Sequence, residues 1–433
     1  MARTFCLCCH RATGVLPRAA RLTSLGAVLG MISSAVMAGG VTGFTAGPGL
    51  TWGGISHPAT VQTSLNNPGA AGQVAGEGLW FGLGAVAIGY EVGDVDDLLE
   101  RTEDLEDVLD RDFASLEEVQ VVRDEFDDFL LAAGRNGYVK GGGTLQLPFT
   151  PVGGYWGTLG GTVSFEASGL ASLGGRILDA PLEVTFDGNR YALETDTAAY
   201  LKQAVGYRLS LGYSREVFRN EDGALSVGSR VNYYKLDLSR AVTRLDEGDN
   251  QDDFGDRLED GLEQNERGRS GMGLDVGALW TGAQYQLGGT LRNLNEPSFD
   301  YPRLDPAGND RIPGSERYTM ERQLQLEAAV FTRDQHWFAG VAYDVNGIED
   351  AVGDEFRWMT VAGGYQGTGW WIPGVRAGYR RNLTGTELGY YLLGTTLFRV
   401  VNLDLAWSTD SVDMDGDTMP RSAMASLSTE LRF

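Results

Sequence analysis

The chain has 433 residues, a formal net charge of −24, 61 glycines and 10% aromatic residues. That length suits two or three ordinary domains or one large barrel. Such acidity argues against nucleic-acid binding, which needs clustered positive charge, and beyond the leader no run is apolar and long enough for a membrane helix.

The N-terminus reads as a secretory signal peptide over residues 1–38. Arg3, Arg11, Arg18 and Arg21 precede an apolar window from Leu22 to Met37, and Val36-Met37-Ala38 offers a small-residue cleavage site. All three cysteines (Cys6, Cys8 and Cys9) lie in this leader. The expected mature chain therefore has no disulfide, thiol chemistry or cysteine metal site.

Residues 39–78 are rich in Gly, Ala, Ser, Thr and Pro without clear periodicity. The turn at Asn66-Asn67-Pro68 is the most definite local feature, because Pro fixes its own φ and restricts the residue before it. Lying just ahead of the first strand-like run, Leu79 to Val92, this segment occupies the place where a barrel keeps a plug.

Residues 93–134 change period. Val95, Leu98, Leu99, Leu105, Val108 and Leu109 recur at three- and four-residue steps, and Leu116, Val119, Val122, Phe126, Phe129 and Leu130 repeat the pattern. This spacing predicts a helical hairpin or one bent helix, with Ser115 and Glu118 as a capping box. The other face carries 17 Asp or Glu between Glu91 and Asp128 against Arg101, Arg111 and Arg123. It reads as a solvated face; the competing reading is a docking surface for a cationic partner or divalent ions.

From Gly137 the period is two, as in strands whose side chains point alternately to opposite faces. Val205, Tyr207, Leu209, Leu211 and Tyr213 alternate with Arg208 and Ser210, and Val231 and Tyr233 with Arg230 and Asn232. Leu324, Leu326 and Val330 enclose Gln325 and Glu327, while Leu403, Leu405 and Trp407 alternate with Asn402 and Asp404. The last strand sets Leu427, Leu431 and Phe433 against Ser428, Glu430 and Arg432. Charged residues between lipid-grade apolar ones do not suit a dry sandwich core; they suit a lumen. The expected fold is all-β, a transmembrane antiparallel barrel of about 14 strands over residues 79–433. Strands are placed near 79–92, 138–149, 156–167, 203–217, 224–238, 272–281, 285–294 and 320–332. The rest fall near 337–344, 356–365, 374–381, 387–397, 400–408 and 424–433, with short and long connections alternating. Leu182 to Leu193 is left open as a further strand. Tryptophans such as Trp156, Trp280 and Trp337 fall near strand ends, where amphipathic rings meet the headgroups.

Catalytic signals are weak. His10 leaves with the leader, His57 lies in the Gly-rich segment and His336 in a short turn, so no histidine is set beside a nucleophile and no enzyme is expected. Asp413, Asp415 and Asp417 are weak calcium candidates, because their spacing departs from the twelve-residue loop and no Glu closes it. They, like the acidic residues between 246 and 253, read as a solvated loop. No cofactor motif is present.

The leader, the Asn67-Pro68 turn, the first strand, the acidic insert and the terminal strand together resemble TraF-like proteins, which are named for conjugal transfer and related to FadL-type fatty-acid transporter barrels. Gly69 stands where those transporters carry an Asn-Pro-Ala alanine, and Ser428 where the terminal strand usually has glycine. The resemblance implies a bacterial outer-membrane channel or transporter for small hydrophobic molecules, with lipid around it. The alternative is a structural or adhesive component of a transfer apparatus.

Overall fold

The computed structural model describes residues 45–75, 78–245, 254–304, 312, 314–367 and 369–432. The leader, Phe433 and the acidic run between 246 and 253 lie outside the described residues.

Fourteen antiparallel wall positions form one closed barrel. In chain order they begin with β1 (Leu79–Val92), β2 (Tyr138–Gln146, resumed at Val152–Trp156), β3 (Gly161–Leu178), β4 (Ala198–Asn220) and β5 (Gly223–Arg244). Next come β6 (Glu266–Gly282), β7 (Tyr285–Arg292), β8 (Gln323–Phe331), β9 (Trp337–Asp344) and β10 (Trp358–Tyr365). The circuit finishes with β11 (Gly374–Asn382), β12 (Gly389–Leu397), β13 (Val401–Ser408) and β14 (Ser422–Arg432). β1 bonds to β2 on one side and to β14 on the other, so no edge is left unpaired.

The two-residue period settles the faces. Leu326, Val330, Val361, Leu405 and Leu427 are exposed on the outside, whereas Gln325, Glu327, Asn402, Asp404 and Glu430 are buried inside. The side chain of Arg432 lies outside the described residues.

Two strand placements differ from the sequence reading. The second strand, expected as 138–149, stops at Gln146 and resumes at Val152, and the strand expected at 156–167 starts at Gly161. Residues 147–151 leave the ladder because Pro151 has no N–H to give and Phe149 takes φ 63°. Opposite them β1 is bulged, with Leu83 as the extra residue between Gly82 and Gly84. Gly82 donates to the Pro151 carbonyl at 2.8 Å, and a Cβ there would sit 2.6 Å from the Thr150 carbonyl oxygen.

The second difference is height. β3, β4 and β5 run for 18, 23 and 22 residues, well beyond the 9–11 that cross a bilayer, so they rise as a crown at the long-loop end. Leu182 to Leu193 is not a wall strand. It folds as a separate hairpin, Leu182–Phe186 with Tyr191–Thr195.

Inside the barrel lie three short helices, α1 (Gly49–Trp52), α2 (Val61–Ser64) and α3 (Ala71–Ala75). The insert forms α4 (Leu98–Leu109) and α5 (Leu116–Asn136), and the connection after β5 carries α6 (Phe254–Gln264). Ser115 Oγ accepts the Glu118 N–H at 3.2 Å and caps α5. α4 and α5 bury Leu98, Leu105, Val119, Phe126 and Phe129 against Leu182 and Leu193 of the hairpin. α6 sets Leu258 and Leu262 on Leu173, Ala199 and Leu201, which point outward from the crown.

One substitution separates the two faces of the wall. Leu427→Arg, on the outside, is expected to cost about 2–4 kcal/mol at mid-bilayer depth. Reversible denaturant unfolding in lipid vesicles measures it; a loss under about 0.5 kcal/mol would contradict the assigned face.

Candidate functional site

The interior segment 45–75 is held by three wall carboxylates. Glu327 on β8 accepts from the Ser56 N–H at 2.6 Å, the Ser56 hydroxyl at 2.8 Å and Asn67 Nδ2 at 3.0 Å. Asp404 on β13 accepts from the Thr51 hydroxyl at 2.5 Å. Glu430 on β14 accepts from the Val61 N–H at 2.5 Å and from Asn402 Nδ2 at 3.2 Å. Hydrogen bonds to an ionised acceptor are the stronger kind, and the one from Val61 serves a first-turn N–H that the four-residue α2 cannot serve itself.

The Asn66-Asn67-Pro68 turn is the tightest of these attachments. Asn67 is fully buried, its Oδ1 accepts the Gly69 N–H at 2.9 Å, and its Nδ2 also reaches the Ala278 carbonyl at 3.1 Å. The wall opposite is glycine by necessity: a Cβ at Gly277 would lie 2.1 Å from Asn67 Oδ1, and one at Gly228 would lie 2.3 Å from the Pro68 carbonyl oxygen. Asn66 Nδ2 bonds within the segment, to the Gly53 carbonyl at 2.7 Å. Near the short-turn end Trp52 and Ile55 pack on Phe331 and Phe338, and the His57 ring lies 4.3 Å from that of Phe338.

Above the segment is a polar cavity of about 250 Å³. Arg208 pairs with Glu166 at 2.6 Å and Arg230 with Asp275 at 2.8 Å, and Asn232 also donates to Asp275 at 2.8 Å. Lower on the wall Arg376 pairs with Asp404 at 2.6 Å. Gln325 donates to Asp344 Oδ1 at 2.7 Å.

The described parts of the connections after β7 and β9 pack over the wall at the long-loop mouth. A short hairpin, Ser298–Asp300 with Arg317–Thr319, inserts Phe299, Tyr301 and Tyr318 among Leu170, Tyr234 and Leu236. Lys140 bonds Asp350 at 3.0 Å and Asp354 at 2.6 Å, and Glu316 is held by Lys202 and by Arg240 at 3.4 Å. Burial raises the Asp350 carboxyl above its ordinary range and Lys140 opposes that rise.

A second concavity lies on the outside of the crown. It measures about 140 Å³ and is lined almost wholly by apolar atoms, from Leu98 and Leu99 of α4, Val139, Leu173 and Leu201 of the wall, and Leu258 of α6. The helices that cover the tall strands leave this gap where small wall residues, Gly141 and Gly175, provide no side chain.

Of the residues singled out in the sequence, Arg208, Arg230, Asn232 and Gln325 line or adjoin the cavity, and Glu327, Asn402, Asp404 and Glu430 meet the interior segment or each other. Asp413, Asp415 and Asp417 lie in a surface hairpin, Ser411–Met414 with Asp417–Pro420. There the Asp413 and Asp415 N–H groups donate to Asp96 at 3.0 Å and Asp97 at 2.9 Å, and the Asp413 carboxylate accepts from Thr418. Among the described residues no group of three or more metal-ligating side chains is set to hold an ion. Lys140, Lys202, Arg292 and Arg380 were not singled out, although their two-residue parity with known lumen positions marks them as inward.

A model of the family described as "F plasmid transfer operon, TraF, protein" matches residues 64–344. No curated protein matches the chain. Among solved structures it is similar to a TodX deltaS2S3 mutant monoaromatic hydrocarbon channel, at 11% identity and a TM-score of 0.48, covering 90% of this chain and 98% of that one. A Pseudomonas aeruginosa FadL homologue gives 13% identity and 0.44, with 92% and 99% covered. The Ralstonia pickettii toluene transporter TbuX gives 11% and 0.42, with 91% and 99% covered. The family match runs from the interior turn through the ninth wall strand, well over half of the chain, and the protein belongs to this TraF family.

Proposed function

We propose that the protein is an outer-membrane transporter that admits small hydrophobic molecules, with the interior segment 45–75 as its gate. The observation that carries this reading is the apolar pocket on the crown. At about 140 Å³ it is close in size to a dry apolar cavity of about 150 Å³ that takes up benzene. Its floor continues down the outer wall along Gly141, Gly143 and Leu145 of β2 and the residues paired with them, Leu173, Ala171 and Gly169 of β3. That stripe leads toward residues 147–151, where the ladder is broken, so a neutral solute has an apolar surface to follow beside a lumen lined with charge. The interior segment blocks the lumen itself through Glu327, Asp404 and Glu430.

A second reading rests on the acidic insert, whose carboxylates face away from the core at the long-loop end: the crown serves as a contact surface in a transfer apparatus. Replacing residues 93–137 by a short turn while donor-to-recipient DNA transfer stays unchanged would remove it.

Two experiments address the transport reading. Gly175→Phe places a ring in the crown pocket, and toluene uptake into proteoliposomes is expected to fall several-fold; equal uptake with wild-type protein, with the variant and with none would overturn the reading. Glu327→Ala removes three hydrogen bonds from the interior segment, each worth about 1.5–3 kcal/mol to a charged acceptor. Planar-bilayer recordings are expected to show rare, small openings for wild-type protein and frequent, larger ones for the variant. Identical traces would rule out a gating role for the segment.

A further inference from the structure

Five arginines that point into the lumen below the mouth fall into two classes. Arg208, Arg230 and Arg376 each lie within 3 Å of a carboxylate oxygen. Arg380 and Arg292 do not. Arg380 points inward from β11 with 9% of its surface exposed, and its guanidinium carbon stacks 3.7 Å from the centroid of Trp358. It makes no hydrogen bond and no ion pair with any described residue, and its Nε is buried without a partner. Arg292, at the end of β7, has one hydrogen bond, from Nη2 to Gln325 Oε1 at 3.1 Å, and its Nε too is buried without a partner.

The carboxylate closest in field to both is Asp344, and it is already engaged. Its oxygens accept from Gln325 at 2.7 Å, from Gln323 at 3.1 Å and from the Trp358 N–H at 2.9 Å. Neither arginine comes within ion-pair distance of it. Both line the same cavity of about 250 Å³, together with Phe356, Trp358, Tyr318 and Met320. A buried guanidinium with unused donors is a costly arrangement unless an anion completes it. Two planar forks of donors suit an oxyanion with two oxygens, and the aromatic surface beside them suits an apolar body.

We propose that the upper lumen is a binding site for small organic carboxylates, held at the charged end by Arg380 and Arg292 and at the apolar end by Trp358 and Phe356. This goes beyond the hydrophobic-solute reading: it concerns the inside of the wall, and it requires neither the crown pocket nor transport. The cavity's size restricts the ligand to a compact molecule, of the scale of benzoate.

The test is equilibrium binding of benzoate to the purified, full-length folded barrel by titration calorimetry, with acetate, toluene and inorganic phosphate as comparison probes. Folding of each variant is checked by heat-modifiable electrophoretic mobility. The expected order is benzoate tighter than acetate, with toluene not displacing benzoate. Arg380→Met and Arg292→Met should each weaken benzoate at least tenfold, and Arg380→Lys should recover part of the loss. Where Arg380→Met fails to fold, Arg292→Met decides alone. Unchanged benzoate affinity in a folded variant overturns the proposal, as does phosphate competing as well as benzoate, which marks an adventitious ion only. Failure here leaves toluene uptake untouched, so the two readings stand or fall separately.

Discussion

Every second residue of a closed strand wall must face the interior, and in this chain several of those positions are carboxylates. Glu327, Asp404 and Glu430 would each need water or a donor in that confined space. The interior segment supplies the donors, through the Ser56 and Val61 N–H groups, the Thr51 and Ser56 hydroxyls and the Asn67 amide. The dependence is mutual, since helices of four or five residues leave most of their own N–H groups unserved. Water can take over part of these polar bonds, whereas Trp52 and Ile55 against Phe331 and Phe338 have no such substitute. The aromatic cluster near the short-turn end is thus the apolar anchor of the segment, beside the Glu327 bonds to Ser56.

The height of β3, β4 and β5 is the second constraint. Above the membrane an outward apolar face has no lipid to meet, and Leu173, Ala199, Leu201 and Ile177 lie at that level. α6 covers one part of this face, and α4, α5 and the hairpin cover another. The acidic insert is thus a lid on a tall wall as well as a charged surface, and its heptad-like apolar stripe follows from that covering role. Because three separate connections, after β1, β3 and β5, provide the cover, their seams do not close, and the crown pocket is what remains.

Period two along the strands made the barrel and its strand number legible from the residues alone. The alternation survives because one-residue slips would move charge into lipid. The breaks were less visible. Phe149, Thr150 and Pro151 end one ladder segment, yet Leu145 and Leu147 continue the alternation past Gln146, so the strand seemed to run to residue 149. The crown extensions of β3 and β4 were hidden for a different reason: with protein covering both faces, Gly169 to Leu178 loses the apolar-polar contrast that marks a half-wet strand. The attachment of Asn67 to Glu327 spans 260 positions in the chain. Nothing local encodes it, although the Asn-Pro turn and the inward glutamate between Leu326 and Ala328 were each conspicuous.

The same alternation that builds the barrel also sorts its chemistry. On β3, Glu166 faces the lumen and pairs with Arg208, while Leu173, seven residues on, faces outward into the crown pocket. One strand thus presents a charged site and an apolar site at the same end of the molecule, separated by the thickness of a single sheet. A neutral solute gains nothing from Arg380 and Arg292, and an anion cannot shed its hydration on Leu98, Leu173 and Leu201. The wall therefore keeps the charged lumen and the apolar crown surface apart, and the described ladder is interrupted at 147–151.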